Sequence, residues 1–310
     1  MTTDRRLRGI AMVFTAGVLY STAGLFTRAL HHDVWTILAW RAVFTVLFTL
    51  GWIAVTQRRD MLRGFAFSRR EWASVPMMAG AGICYIFALK VTSVADVMVV
   101  YATMPLCTAV IAWLWGRERP SRRMLIASFV ALGGVVVMMA GGSGDGQRLL
   151  GIGLMFCMNV VFALTLVGAQ RTPTTMTALF TTGTAVAAVV AFALAPRETI
   201  PAWDMGLMMV FGLVTGSAMT MFMSGARRIP PSEVGLIGIA DVVIGPALVW
   251  ACFAEIPSTG AALGGTVVVA ALVWHLWPDL SGGGGEDQAR CFEPSALVPS
   301  ACGTGAACVE

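Results

Sequence analysis

Apolar stretches without a single charge recur along the whole chain, at 9–27, 42–57, 72–89, 97–116, 124–144, 149–170, 172–196, 205–226 and 256–278. A helix needs about 20 apolar residues to cross the hydrocarbon core of a bilayer, and most of these runs reach that length. Cut at charge clusters, glycines and prolines, the pattern predicts ten helices at 8–30, 34–56, 72–91, 95–116, 123–141, 149–170, 175–195, 203–224, 232–253 and 259–277. The first is read as a span that stays, because it exceeds the length of a signal-peptide core and no small-residue cleavage site precedes the next helix. Residues 281–310 break the pattern: Ser281 is followed by four glycines and then by mixed polar and small residues. That end is expected to be a flexible, disordered tail.

Composition agrees with the pattern. Of 310 residues, 57% are hydrophobic and 12% are charged, against about 25% charged residues in a soluble domain. This excludes a disordered chain and an ordinary soluble enzyme, and it makes the expected architecture an all-α integral membrane protein. The seven cysteines show no metal-binding spacing, and the four inside apolar runs (Cys84, Cys107, Cys157, Cys252) are read as small core residues. No metal or cofactor site is expected. The Gly-rich stretch at 141–146 lacks the Gly-Lys-Ser/Thr ending of a phosphate-binding loop.

The placement of the basic residues orients the chain. Fifteen arginines (5, 6, 8, 58, 59, 63, 69, 70, 117, 119, 122, 123, 171, 227 and 228) flank one face of the predicted spans, and only Arg28, Lys90, Arg148 and Arg197 flank the other. Cytoplasmic loops are the basic ones, so both termini are expected in the cytoplasm. The net charge of +4 reflects this topology and gives no reason to expect a nucleic-acid partner. Small residues at packing distance, Gly17/Ser21, Gly212/Gly216 and Gly260/Gly264, suggest close helix contacts.

The chain also repeats itself. A shift of 137 residues pairs Trp113 with Trp250, Glu118 with Glu255, Pro120 with Pro257, Ser121 with Ser258, Lys90 with Arg227 and Asp96 with Glu233. A shift of 142 pairs Gly9-Ile10 with Gly151-Ile152 and Phe14 with Phe156. Five spans per copy is an odd number, so the second copy (149–277) enters the membrane from the face opposite to the first (8–141). Inverted five-helix repeats of this kind give two nearly degenerate conformations, as secondary transporters require.

Particular stretches carry a family likeness. A-L-K-V-T-S-V-A-D-V (88–97) and M-P-L-C-T-A-V-I-A-W-L-W-G-R-E-R-P-S (104–121), with second copies in 225–234 and 247–258, resemble the EamA repeat of the drug/metabolite transporter superfamily. L-Y-S-T-A-G-L-F-T-R (19–28) and L-A-W-R-A-V (38–43) resemble its first two helices. The resemblance implies ten helices, alternating access and transport of small metabolites such as amino acids, nucleotide derivatives or sugars. Tyr20 stands where the family often has Trp. Asp241 keeps an acidic position of the ninth helix, but the proline that often follows it is displaced to Pro246, so a helix break is expected about one turn later.

Charge decides the candidate site. Asp241 is the one acidic residue well inside a predicted span, about 14 Å from its end at 1.5 Å per residue. It reads as a proton-coupling carboxylate or a counter-ion for a cationic or amino group, with a structural ion pair or interhelical hydrogen bond as the competing reading. Arg41, about 10 Å into the second helix, either snorkels outward or reaches toward Asp241, and a structural or gating role is preferred to direct anion binding. Asn159 serves either the substrate or a neighbouring helix. Tyr20 and Ser21 with Thr22, Tyr85, and Tyr101 with Thr103 add polar positions along helices 1, 3 and 4, with Tyr20 and Tyr101 the deeper pocket candidates. Trp40, Trp72, Trp113, Trp115, Trp274 and Trp277 read as interface anchors. Asp96, three residues after Ser93, fits a capping box, and most of the 19 methionines read as lipid-facing filler.

These features favour a secondary active transporter, an exporter in the inner membrane driven by the proton gradient or by the substrate gradient alone. Its partners are a small-molecule substrate and the bilayer, and its working unit is a monomer or homodimer. An integral-membrane enzyme is disfavoured because His31, His32 and His275 sit at span ends on opposite faces. A channel-like facilitator is disfavoured because no span is strongly amphipathic.

Overall fold

Membrane-length helices make up nearly all of the computed structural model, which describes residues 3–56, 65, 67–114, 122–140, 146–169, 176–226, 228–229 and 231–280. The helices are α1 (Thr3–Ser21), α2 (Ala23–Ala29), α3 (Val34–Thr56), α4 (Arg69–Val91), α5 (Val94–Tyr101), α6 (Met104–Leu114), α7 (Arg122–Ala140), α8 (Gly146–Ala169), α9 (Met176–Leu194), α10 (Ala202–Ala226), α11 (Pro231–Phe253) and α12 (Thr259–Leu280). Seven described helices are long and apolar enough to cross a membrane, with Arg6–Ala29 and Val94–Leu114 each counted as one; Leu125–Ala140, Asp241–Phe253 and Thr259–Trp274 are shorter apolar segments. Met1–Leu276 forms one unit and Trp277–Glu310 another; the predicted tail lies outside the described residues.

Two of the predicted spans are broken, each for a local reason. Between α1 and α2 the Thr22 hydroxyl donates to the Leu19 carbonyl at 2.6 Å, and the Ser21 hydroxyl reaches the Gly17 carbonyl at 3.0 Å. Side chains thus compete for the helix ladder at that point. Between α5 and α6, Pro105 has no N–H to offer the Tyr101 carbonyl, and the Val100 carbonyl instead receives the Thr103 N–H at 3.0 Å. The break expected after Asp241 is absent: α11 runs continuously through Pro246.

Caps were only partly as expected. The Ser93 side chain accepts from the Asp96 N–H at 3.0 Å, but the Asp96 carboxylate turns away to Arg148 instead of closing the box. A complete capping box forms one helix earlier, at Ser68 and Glu71, where S-R-R-E carries the same signature.

Packing joins early helices to late ones in reciprocal fashion. α1 lies on α10 and α11, while α8 lies on α4 and on α5–α6; α3 lies on α10 while α9 lies on α4; and α3 packs on α9 as α5 packs on α11. Gly9 meets Ile229, and Gly151 meets Thr92. Gly212 sits so close to α3 that a Cβ there would lie 2.5 Å from the Arg41 carbonyl and 2.6 Å from the Phe44 Cβ, which explains the glycine. Gly216 approaches Phe48 and Gly264 approaches Gly134, but Gly17 packs on nothing and opens on a cavity.

Other expectations meet the surface differently. Trp72, Trp113 and Trp274 are exposed, whereas Trp40 is partly buried and packs edge-on against Phe192 at 5.4 Å. Trp115 lies outside the described residues. Cys84 and Cys107 are half-buried, but Cys157 and Cys252 face outward and are not core residues.

Candidate functional site

α1, α2, α3, α4, α5, α6, α8, α9, α10 and α11 surround a cavity of about 230 Å³. All three tyrosines of the chain, Tyr20, Tyr85 and Tyr101, face it together with Arg41 and Asp241. Thr184 and Thr215 add hydroxyls. The remaining wall is soft and apolar: Met78, Met98, Met104, Met158, Met219 and Met223 line it alongside Phe162, Phe180, Phe211 and Phe222. Six methionines are therefore placed on the cavity rather than toward lipid, and their flexible thioethers suit a wall that must adapt in shape.

The two charges on this wall have different surroundings. Asp241, 6% exposed, receives a hydrogen bond from the Ser21 hydroxyl on α1. Because that hydroxyl also lies 3.0 Å from the Gly17 carbonyl, its single hydrogen can serve the ionised carboxylate. Alternatively it can serve Gly17 while a protonated Asp241 donates to the serine oxygen. The pair accommodates both protonation states without moving a helix.

Arg41, 7% exposed, has no ion pair or hydrogen bond among the described residues, and its Nε is buried without a partner. Its guanidinium lies 5.2 Å from the centre of the Phe211 ring. Phe211 in turn stacks on Phe26, with centroids 4.9 Å apart and planes 10° from parallel. This stack attracts the guanidinium by cation–π interaction, and no hydrogen bond uses its terminal nitrogens among the described residues. The reach of Arg41 toward Asp241 allowed by the sequence is not made as an ion pair here; the two share the cavity instead.

The remaining sequence candidates separate. The Tyr20 hydroxyl donates to the Met219 sulfur at 3.4 Å, tying α1 to α10 across the cavity wall. Ser21 stands behind Asp241. Asn159, fully buried, donates through Nδ2 to the Val100 carbonyl at 2.7 Å and the Thr103 hydroxyl at 3.2 Å. It therefore fastens α8 to the break between α5 and α6, away from the cavity lining, and Thr103 belongs to the same fastening. Phe211, Thr184 and Thr215, and Phe26 behind Phe211, were not singled out in the sequence; they sit in plain apolar helices, and only the helix rotation places them there.

A second polar cluster occupies one end of the bundle. Arg28 donates to Glu255 at 2.7 and 3.2 Å and to the carbonyls of Leu89 and Thr92 at 3.1 and 2.8 Å. Glu255 also accepts the Val94 N–H at 3.0 Å. Lys90 donates to the Leu30 carbonyl at 2.5 Å. Arg148 grips Asp96 at 2.8 and 3.0 Å and the Met138 carbonyl at 2.9 Å. His32 bridges Glu198 at 3.1 Å and Asp204 at 2.9 Å, while Thr36 donates to Glu198 at 2.8 Å. Hydrogen bonds to Glu198 first and Asp204 second raise the His32 pKa; His32, then Thr36, hold the Glu198 carboxyl below its ordinary range. Arg28, Lys90 and Arg148, three of the four basic residues assigned to the sparsely basic face, thus gather at this end. Of the fifteen on the other face, Arg58, Arg59, Arg63, Arg117, Arg119, Arg171 and Arg227 lie outside the described residues. Among the described residues no group of histidine, cysteine and carboxylate side chains could hold a metal ion.

Comparison with known proteins agrees with this picture. Residues 7–140 match the model of the EamA-like transporter family. A crystal structure with 21% sequence identity aligns over 87% of this chain and 97% of its own, with a TM-score of 0.62, which shows a shared fold. No curated protein matches the sequence. The family match over the first part of the chain supports the resemblance to the drug/metabolite transporter superfamily, and the seven described membrane-length apolar helices fit a multi-pass membrane protein.

Proposed function

We propose that this chain is an EamA-type membrane transporter that exports small metabolites across the inner membrane by alternating access, coupled to protons through Asp241. Its architecture in this reading is ten spans in two inverted repeats, 8–141 and 149–277. The reciprocal contacts support it. Under the two repeat shifts Gly9 corresponds to Gly151 and Thr92 to Ile229, and Gly9 packs on Ile229 just as Gly151 packs on Thr92. Two halves that contact each other in interchanged roles can exchange conformations at little cost in energy.

The observation that carries the reading is the cavity. It gathers Asp241, Arg41 and the three tyrosines between helices drawn from both parts of the chain, where a transporter of this architecture holds its solute. The two helix breaks, at Thr22 and at Ala102–Thr103, flank the same space, since Tyr20, Ala23, Tyr101 and Met104 all line it. Broken helices are the points at which a span can bend during a change of access. With the termini in the cytoplasm, the Arg28 end faces outward. Its links Arg28–Glu255, Arg148–Asp96 and His32–Glu198 each join an early residue to a late one and hold that side together, so opening outward requires them to separate. The substrate is a small molecule, the surroundings are lipid, and the working unit is a monomer or homodimer.

The test is counterflow in proteoliposomes against a panel of amino acids, nucleosides, organic anions and organic cations, with and without a pH gradient. Saturable flux of at least one solute is expected, and none for any solute would sink the transport reading. For a solute that moves, Asp241→Asn should abolish pH-driven accumulation and leave solute exchange in place. If accumulation survives, Asp241 is not the coupling group.

A further inference from the structure

The guanidinium of Arg41 stands in the cavity with its edge unused. A buried charge inside a bilayer protein is paired with another charge, with carbonyls or with water. Arg28, Arg148 and Arg228 follow that rule, each bonding one or more carbonyl oxygens. Arg41 does not, although it is buried and its neighbour across the cavity is a carboxylate. Asp241 is occupied by Ser21, whereas the Nε of Arg41 has no acceptor. The geometry also fixes what this edge can receive. The guanidinium carbon lies 5.2 Å from the centre of the Phe211 ring, which Phe26 backs, and Nε is buried, so a ligand in the cavity meets the terminal nitrogens. The two terminal nitrogens offer parallel N–H donors, which match the two oxygens of a carboxylate.

Resting on the transporter reading of this cavity, we propose that the substrate carries a carboxylate, held in bidentate fashion by Arg41, on an apolar or aromatic body. The phenol groups of the wall supply further donors, and the methionine and phenylalanine surface accepts the body. An organic cation lacks any group for Arg41 and would leave two positive charges in one small apolar chamber. An ammonium group on the same molecule is compatible, since Asp241 faces the same space, but the carboxylate is the required group.

The test uses the purified full chain and three probes sharing one skeleton: 3-phenylpropionate, L-phenylalanine and 3-phenylpropylamine. Ligand-induced rises in melting temperature are recorded for the wild type, Arg41→Gln and Arg41→Lys. The two carboxylates should stabilise the wild type and the amine should not. Arg41→Gln, which removes the buried charge and keeps a polar side chain of similar reach, should still fold and bind the carboxylates roughly tenfold more weakly or worse. Arg41→Lys, with charge but no fork, should fall between. Stabilisation by the amine with none by the carboxylates overturns the proposal, as does carboxylate binding that survives Arg41→Gln, and so does the absence of a shift with all three probes. Counterflow of labelled 3-phenylpropionate separates this from the transport reading. Binding without flux contradicts transport and keeps the anion site, while flux of cations alone contradicts the anion site and keeps transport.

Discussion

The ionic side chains at the Arg28 end and those in the cavity obey different rules. At the end, Arg28 has four acceptor atoms on three residues, Asp96 answers Arg148, and His32 lies between two carboxylates. In the cavity, Arg41 has an aromatic neighbour and no acceptor among the described residues, and Asp241 has a serine hydroxyl. A charge that holds helices together is given its opposite permanently. A charge left open inside the bilayer, at a cost of about 2.5 kcal/mol or more, is intelligible when its partner comes and goes, as a solute or a proton does.

Breaking the paired side should therefore cost stability, most where burial is deepest. Asp96→Asn strands Arg148 beside a side chain only 2% exposed and should cost about 3–5 kcal/mol, seen as a large drop in melting temperature in detergent. A melting temperature like that of the wild type would make the two regions alike. Gly212→Ala pushes a methyl into the α3 backbone and should cost about 1–3 kcal/mol, without changing which solutes bind; a neutral result would mean that α3 and α10 can part freely. The Arg28–Glu255 pair is about one-quarter exposed, so its coupling in a double-mutant cycle of Arg28→Gln and Glu255→Gln should be about 1 kcal/mol or less. A coupling of several kcal/mol would make this end as electrostatically committed as the Asp96 pair.

The smallest effect is a pH dependence at His32. Its pKa is raised, so its contribution is complete below the ordinary histidine value and fades as pH climbs through the raised one. Glu198 is lowered, so its contribution is present above the ordinary carboxylate value and is lost as pH falls through the lowered one. The link is firmest between those limits, and the melting temperature should decline toward alkaline pH. His32→Gln should flatten that decline; an unchanged slope would show that His32 is not its source.

Much of the contrast was legible in the sequence. Span positions and the two embedded charges follow from hydropathy alone, because an isolated Asp or Arg in an apolar run is conspicuous. The break at Ala102–Thr103 was not legible there, where 95–116 reads as one helix: Pro105 leaves the Tyr101 carbonyl unserved, but Pro246 shows that proline alone does not decide the outcome. Hidden from the sequence was rotation. Nothing in 206–226 distinguishes Phe211 from Phe222 or predicts a stack under Arg41, and nothing in the local sequence pairs Asp96 with Arg148, 52 residues away. Asn159 was ambiguous for the same reason: its amide can reach any neighbour, and those that claimed it were the Val100 carbonyl and the Thr103 hydroxyl at the helix break.

The central claim is that the cavity charges serve a passing partner and the end charges serve the fold. Its most direct test is pH-driven solute uptake by Asp241→Asn, on protein whose melting temperature is recorded alongside. The account predicts a melting temperature equal to or above that of the wild type, because a buried charge has been removed, together with loss of pH-driven uptake. A melting temperature that falls as far as that of Asp96→Asn, or uptake that persists, would contradict it.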